Sequence, residues 1–475
     1  MLFNSFIFII FLLFVIPLYY VLARKYRAVY LFLVSYFFYG YWDWRFCTLL
    51  LISTIVDYYV GRTLYKSVDK QRRKLLLWIS ISTNIGILGF FKYFNFFIDS
   101  FEAMIVPLGG ELDFLHLNVI LPVGISFYTF QTMSYTIDIY RKKLRPTSSL
   151  LDFAVFVAFF PQLVAGPIER AKHLLPQIEK LTSPKRRQIE EGIVLIIYGL
   201  FKKVMIGDAS GKIVDRIFGH MQQFNAVELI VALVLFSIQI YADFSGYSNI
   251  ARGLAKLLGV ELMKNFEQPY LSANITEFWR RWHISLSSWL KDYLYISLGG
   301  NRGGIKRTYV NLMLTMLIGG LWHGASWNFV IWGGLHGIYL MVHKWFLQNS
   351  KKNNDLPPYY QLLYSRPVKV LFTYCLVLFT WLFFRAPDFE TVSVFFTKLI
   401  AFETSQLSLR FVLIGFSYLA MTLGLDLAES YTNSHVFVLK FNSRSVQSGI
   451  LVVLITVTLV FMFQSEPLPF VYFQF

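Results

Sequence analysis

The chain has 475 residues, of which 56% are hydrophobic and 19% aromatic, while only 15% are charged and the mean hydropathy is +0.52. Soluble domains carry roughly 25% charged residues, so this balance excludes an ordinary soluble fold and indicates a membrane protein. The net charge of +16 arises from 44 Lys and Arg against 28 acidic residues. Because the basic residues cluster in short loops between apolar runs, cytoplasmic loop bias and anionic lipid headgroups account for them, and nucleic acid is not implied.

The first apolar run, Phe3 to Leu22, lacks a positive n-region and a small-residue cleavage site, and reads as a retained span. Arg24, Lys25 and Arg27 follow it and favour a cytoplasmic C-terminal end for that span. Further apolar segments fall at 29–60, 76–99, 117–137, 151–166, 191–206, 226–242, 308–343, 368–384, 410–424 and 445–465. A spanning helix needs about 20 apolar residues. The pattern therefore predicts an all-α integral membrane protein with about ten to twelve transmembrane or re-entrant helices. Pro122, Pro161 and Pro167 interrupt hydrophobic stretches. Broken helices are tolerated where they are buried in protein or line a cavity, so the middle of the chain is expected to form a cavity. Residues 1–475 read as one membrane domain with its core motifs at 121–344 and no separate soluble domain. The polar stretch from Gln348 to Pro358 reads as a surface loop. Cys47 and Cys375, both in apolar surroundings, read as core hydrophobes, and no CxxC metal signature is present.

Three regions carry polar groups in apolar context. Asp243 follows fourteen uncharged residues and leads into a Ser- and Tyr-rich string, where it can orient a histidine or form an ion pair. The block from Asn265 to Arg307 includes Asn274 and is rich in aromatics. At helical spacing, Trp282, Leu286, Trp289 and Tyr293 share one face, which predicts an amphipathic or re-entrant helix. His283 lies beside Trp282, with Ser285 two positions on; it reads either as an interfacial histidine or as a site residue. The block ends in Gly299-Gly-Asn-Arg-Gly-Gly304 followed by Lys306 and Arg307. Glycine amides with nearby cations can cradle a phosphate, so Arg302, Lys306 and Arg307 are candidate donor-phosphate contacts; a flexible basic loop is the alternative.

The third region is the 36-residue uncharged run between Arg307 and Lys344, which contains Gly319-Gly-Leu-Trp-His-Gly-Ala-Ser-Trp327. A continuous helix of that length would extend about 54 Å, too far for one straight span, so a bend near the glycines is expected. His323, flanked by Trp322 and Gly324, has no charged neighbour for many positions. Burial disfavours the imidazolium, and a neutral imidazole can accept a proton as a general base. Packing is the competing explanation, although intramembrane ionisable groups are costly and default to function. His336 and His343 fall on another helical face and do not read as ligands with His323; carboxylate or cysteine ligands at zinc spacing are also lacking, so no metal is expected.

The strings LPVGISFYTFQTMSYTIDIYR, FPQLVAGPIER, DFSGYS, PYLSANITEFWRRWHISLSSWLKDYLYISLGGNR, GGLWHGASWNFVIWGGLHG and VYFQF closely resemble the membrane-bound O-acyltransferase (MBOAT) family. The resemblance is strongest to its bacterial branch of alginate and peptidoglycan O-acetyltransferase membrane subunits. It implies helices around a pore or funnel, with His323 as the essential histidine and His283 as the second recurrent polar position. It further implies acetyl transfer from a cytoplasmic thioester donor, acetyl-CoA, with no tightly bound cofactor. A periplasmic or extracellular SGNH-type partner would esterify the polysaccharide, in a bacterial cytoplasmic (inner) membrane setting. D-alanyl transfer for teichoic acid modification is the alternative within the family; a transporter or a polysaccharide-complex scaffold is the alternative outside it.

Overall fold

The computed structural model describes all residues other than 107–115, 118, 165, 351–364, 404–405, 465 and 474–475. Most of the polar stretch expected as a surface loop, including Lys351 to Asp355, lies outside the described residues. Among the described residues the chain forms helices and no strands. Five helical stretches are long and apolar enough to cross a membrane: Lys70–Ile105, Ala226–Leu257, Arg366–Arg385, Ser408–Thr432 and Arg444–Gln464. The protein is an all-α, multi-pass membrane protein.

Two compact units organise the chain: Met1–Ile193 with Ala251–Met263, and Val194–Ile250 with Lys264–Phe475. The first unit contains α1 (Phe6–Val21), α2 (Arg24–Asp43), α3 (Phe46–Lys66), α4 (Lys70–Leu88), α5 (Phe94–Ile105), α6 (Ile125–Tyr140), α7 (Leu150–Ala158), α8 (Phe160–Leu163) and α9 (Ala171–Lys180). The expected proline breaks are present: α6 begins just after Pro122, and α8 begins at Phe160 with Pro161 in its first turn. Arg27 is buried, stacks over Tyr19 and donates to the Leu181 carbonyl and the Ser183 hydroxyl. Arg27 thus ties the start of α2 to the segment that follows α9.

Inside the first unit, α3, α4 and α6 share a closed polar network. The fully buried Asp57 carboxylate accepts from Ser80 at 2.5 Å and from the Asn84 amide at 2.8 Å. Ser80 meets Thr136 at 2.8 Å, while Ser53 and Thr132 both donate to the Asn84 carbonyl, at 2.8 and 3.0 Å. Each buried polar group is answered by another, as a low-dielectric interior requires.

The second unit is built from α10 (Arg186–Phe201) and α12 (Ala226–Leu257), which contribute residues to it, and from α11 (Ala209–Gly219). It continues with α13 (Ile275–Arg281), α14 (Ile284–Trp289), α15 (Gly304–His323), α16 (Trp327–Ser350), α17 (Arg366–Arg385), α18 (Phe389–Ala401), α19 (Gln406–Thr432) and α20 (Arg444–Gln464). The most apolar window of Ala226–Leu257 is 83% buried, whereas the windows of Ser408–Thr432 and Arg444–Gln464 are 17% buried. Hydrophobicity thus serves protein packing in α12 and contact with lipid in α19 and α20. Cys375 on α17 is exposed, not a core residue as expected from its apolar surroundings; it sits among the outward-facing Leu371 and Phe372, where neighbouring side chains are lipid-facing.

Two glycine pairs set the close approaches. A Cβ on Gly320 would lie 2.2 Å from the Phe329 carbonyl oxygen, and one on Gly333 would lie 2.3 Å from that of Met316. Only glycine lets α15 and α16 pack backbone to backbone there. A Cβ on Gly199 would lie 2.6 Å from the Gly246 oxygen, which draws α10 and α12 together within the second unit.

Candidate active site

The long uncharged run is a helical hairpin, not one span. α15 ends at His323, Gly324 is extended at φ −159° and ψ 153°, and α16 begins at Trp327 with the Ser326 hydroxyl accepting from Asn328 N–H. The Gly-Ala-Ser sequence supplies the helix stop and the next cap. His323 therefore terminates a helix at the turn, buried to 3% exposure.

The block around His283 differs from the sequence expectation of a single amphipathic helix. α13 stops at Arg281, and His283 adopts φ 42° and ψ 55°, a left-handed conformation that few non-glycine residues take. Trp282 and Leu286 thus do not lie on one continuous helical face. Tertiary contacts compensate for the break: Ile284 N–H donates to the Asn265 carbonyl at 2.8 Å, and Glu267 N–H donates to that of Arg281 at 3.0 Å. His283 is fully buried inside the protein.

The two breaks bring the histidines together. The His283 and His323 ring centroids are 6.5 Å apart, and Trp322 touches both rings, at 5.9 and 5.0 Å. Phe244 packs edge-on against His283 at 4.6 Å, and Trp332, Phe384 and Tyr472 surround His323 at 5.0, 5.4 and 5.3 Å. Ser285 Oγ lies 3.5 Å from His283 Nδ1, at the limit of a hydrogen bond. Trp282 belongs to the same aromatic body, packing on Phe266, Phe278 and Trp381 at 5.1, 5.6 and 5.0 Å. The arrangement is two imidazoles in an aromatic chamber, suited to proton transfer at a carbonyl addition step. Among the described residues, no three His, Cys, Asp or Glu side chains cluster as metal ligands.

Asp243 is linked to this chamber through the C-terminal segment. Its carboxylate pairs with Lys203 Nζ at 2.7 Å and accepts from Val471 N–H at 2.6 Å, and Lys203 also pairs with Asp208 at 2.6 Å. The partner is thus a lysine of the neighbouring helical segment, not a histidine or an arginine of the central block. Through Val471 the carboxylate anchors the C-terminal segment, placing Phe470 on Phe244 and Tyr472 on His323.

The remaining candidates lie elsewhere. Asn274 caps α13 by accepting from Glu277 N–H at 2.9 Å, which explains its residue type structurally. Arg302, Lys306 and Arg307 are exposed at the opposite end of α15 from His323. Seventeen residues of helix separate Lys306 from His323, about 26 Å at 1.5 Å per residue, so these cations are not brought to the histidines.

Sequence reasoning gave no role to Tyr472, Lys203, Trp332 or His336. Lys203 was the most detectable, since a Lys-Lys pair follows an apolar run and intramembrane charges are costly. Tyr472 lies 149 positions beyond His323, and no local pattern connects them.

Residues 24–385 match the family model described as the membrane-bound O-acyltransferase family. The chain is 41% identical to the "Probable alginate O-acetylase AlgI" of Azotobacter vinelandii over 406 residues, covering 85% of this chain and 79% of the relative. It is 36% identical to the "Peptidoglycan O-acetyltransferase" of Helicobacter pylori over 389 residues, covering 76% and 72%. A more distant match is the "Teichoic acid D-alanyltransferase" of Streptococcus thermophilus, 27% identical over 284 residues, covering 55% and 68%.

Fold and site together define a membrane-embedded acyl-transfer protein. The chain belongs to the membrane-bound O-acyltransferase family and is an O-acyltransferase.

Proposed function

We propose that this protein moves an acetyl group from a cytoplasmic thioester donor, acetyl-CoA, toward O-acetylation of an extracytoplasmic polysaccharide. The observation that carries the mechanism is the meeting of His283 and His323 across two helix breaks, 6.5 Å apart in an aromatic chamber. His323 takes the proton of the acceptor hydroxyl as its oxygen bonds to the thioester carbonyl carbon. Collapse of the tetrahedral intermediate breaks the carbon–sulfur bond, and the imidazolium returns the proton to the leaving thiolate. His283, held by its strained backbone, supports the arrangement. Identity to alginate and peptidoglycan O-acetylating relatives favours acetyl over D-alanyl, since the D-alanyl relative is less similar and matches a smaller part of the chain. A separate SGNH-type partner would complete esterification of the sugar, with the bacterial inner membrane as the proposed setting.

The test is to delete the gene and measure ester-linked acetate on each purified surface polymer, then complement with wild type or His323→Ala. Loss of acetate from one polymer, restored by wild type but not by His323→Ala, supports the reading. Acetyl transfer that persists in a normally inserted His323→Ala protein overturns it, as would a requirement for a carrier-protein D-alanyl thioester. Unchanged acetate on every polymer would favour a transporter or scaffold.

A further inference from the structure

We propose that His336 is a positioning residue for acyl transfer, holding the Trp332 indole as a fixed wall against His323. The inference rests on His323 being the general base.

His336 is fully buried. Its Nδ1 accepts from Trp279 Nε1–H at 3.3 Å, and its Nε2 lies 3.0 Å from Thr380 Oγ1. The Thr380 hydroxyl proton is already committed to the Val377 carbonyl at 2.7 Å. The Thr380 oxygen is therefore the acceptor and His336 Nε2–H the donor. This assigns a single neutral tautomer, with both ring nitrogens used, because the neutral ring has one donor and one acceptor. The ring joins α13 through Trp279, α16 through its own backbone and α17 through Thr380.

Trp332 and His336 are four residues apart on α16, so they share one helical face. Their rings are 4.7 Å apart, and the same indole meets the His323 ring at 5.0 Å, nearly perpendicular at 82°. Trp279 packs on the same indole at 5.7 Å, and Phe278 lies parallel to His336 at 6.1 Å. The indole is 1% exposed, and its Nε1 has no hydrogen-bond partner among the described residues. No polar contact of its own therefore fixes the indole's rotation. Ring packing supplies that restraint: Phe384 at 5.4 Å and Trp381 at 6.0 Å contribute, and the shortest ring contact is to His336, at 4.7 Å, an imidazole itself locked by two hydrogen bonds. The wall then limits the orientations His323 can take toward an incoming hydroxyl.

The experiment compares acetyl transfer from acetyl-CoA by membranes containing wild type, His336→Gln, His336→Leu, Thr380→Val and His323→Ala. Glutamine can accept from Trp279 and donate to Thr380, whereas leucine can do neither. Misplacement of a catalytic group by about 1 Å can cost a hundredfold, so His336→Leu is expected to lose about ten- to a hundredfold in kcat. KM for the donor should stay nearly constant, and His336→Gln should recover most of the loss. Should His336→Leu fail to insert, Thr380→Val reads the same contact and is expected to lower kcat without changing KM. A folded His336→Leu or Thr380→Val with wild-type kcat overturns the proposal. If His323→Ala is inactive while His336→Leu is fully active, only the positioning role falls. If His323→Ala is active, the general-base reading falls first.

Discussion

The Asp57 network of the first unit and the aromatic cluster around the two histidines of the second are both buried and both hold groups that apolar surroundings penalise, yet they meet the penalty differently. Asp57, Ser80, Asn84, Ser53, Thr132 and Thr136 use one another's donors and acceptors, and so tie three helices together. The chamber around His283 and His323 is walled by aromatic rings, and the buried Trp282 and Trp332 indole N–H groups have no hydrogen-bond partner among the described residues. A closed network leaves nothing for a ligand to do, and its value is helix register. An aromatic chamber with unanswered donors pays a desolvation cost that a bound carbonyl could relieve.

Substitutions can break or sharpen this contrast. The largest effect is expected at His323: alanine should lower acyl transfer by about 10²–10⁴-fold, the usual worth of general acid–base assistance, while the thermal midpoint barely moves. Next, Lys203→Met should destabilise the second unit by about 3–5 kcal/mol, because removing one partner leaves a buried carboxylate uncompensated. It should also reduce activity, since Asp243 would no longer hold the C-terminal segment and Tyr472 against His323; denaturant unfolding and turnover should fall together. In the first unit, Asp57→Leu should cost about 1–3 kcal/mol by stranding the donors of Ser80 and Asn84, yet leave the kcat of the surviving folded fraction unchanged. An Asp57 variant that lost turnover at full stability would erase the distinction between the two regions.

The smallest effect is expected at the surface. His173 on the amphipathic α9 bonds to Glu169 at 2.8 Å, which raises its pKa above the ordinary value of 6.5. A raised histidine pKa gives stability that is fully present below that ordinary value and is lost as pH rises through the folded one. The ring is half-exposed and solvent screens the pair, so the contribution is at most a fraction of about 1 kcal/mol. The thermal-midpoint difference between wild type and His173→Ala should be measurable in mild acid and shrink toward zero in alkali.

Much of this was legible in one dimension. Low charge and repeated apolar runs dictate a helical membrane protein, because backbone polar groups in lipid must be satisfied within each segment. His323 was visible because a histidine flanked by tryptophan and glycine in 36 uncharged residues is costly unless used. The length of that run and its glycines also signalled a bend within it. What composition and spacing could not supply was convergence. The helical face assigned to Trp282 and Leu286 assumed a continuous helix, whereas tertiary hydrogen bonds to the Asn265 carbonyl and from Glu267 N–H flank the left-handed turn at His283. The basic residues near the glycine loop fitted a phosphate motif locally, but a straight α15 carries them about 26 Å from His323. Lys203, Asp243 and Val471 meet through contacts spanning up to 228 positions in the chain. Hydrophobic periodicity is a local property and determines which segments become helices; the pairing of buried charges and rings across distant segments is cooperative, and only the folded packing decides it.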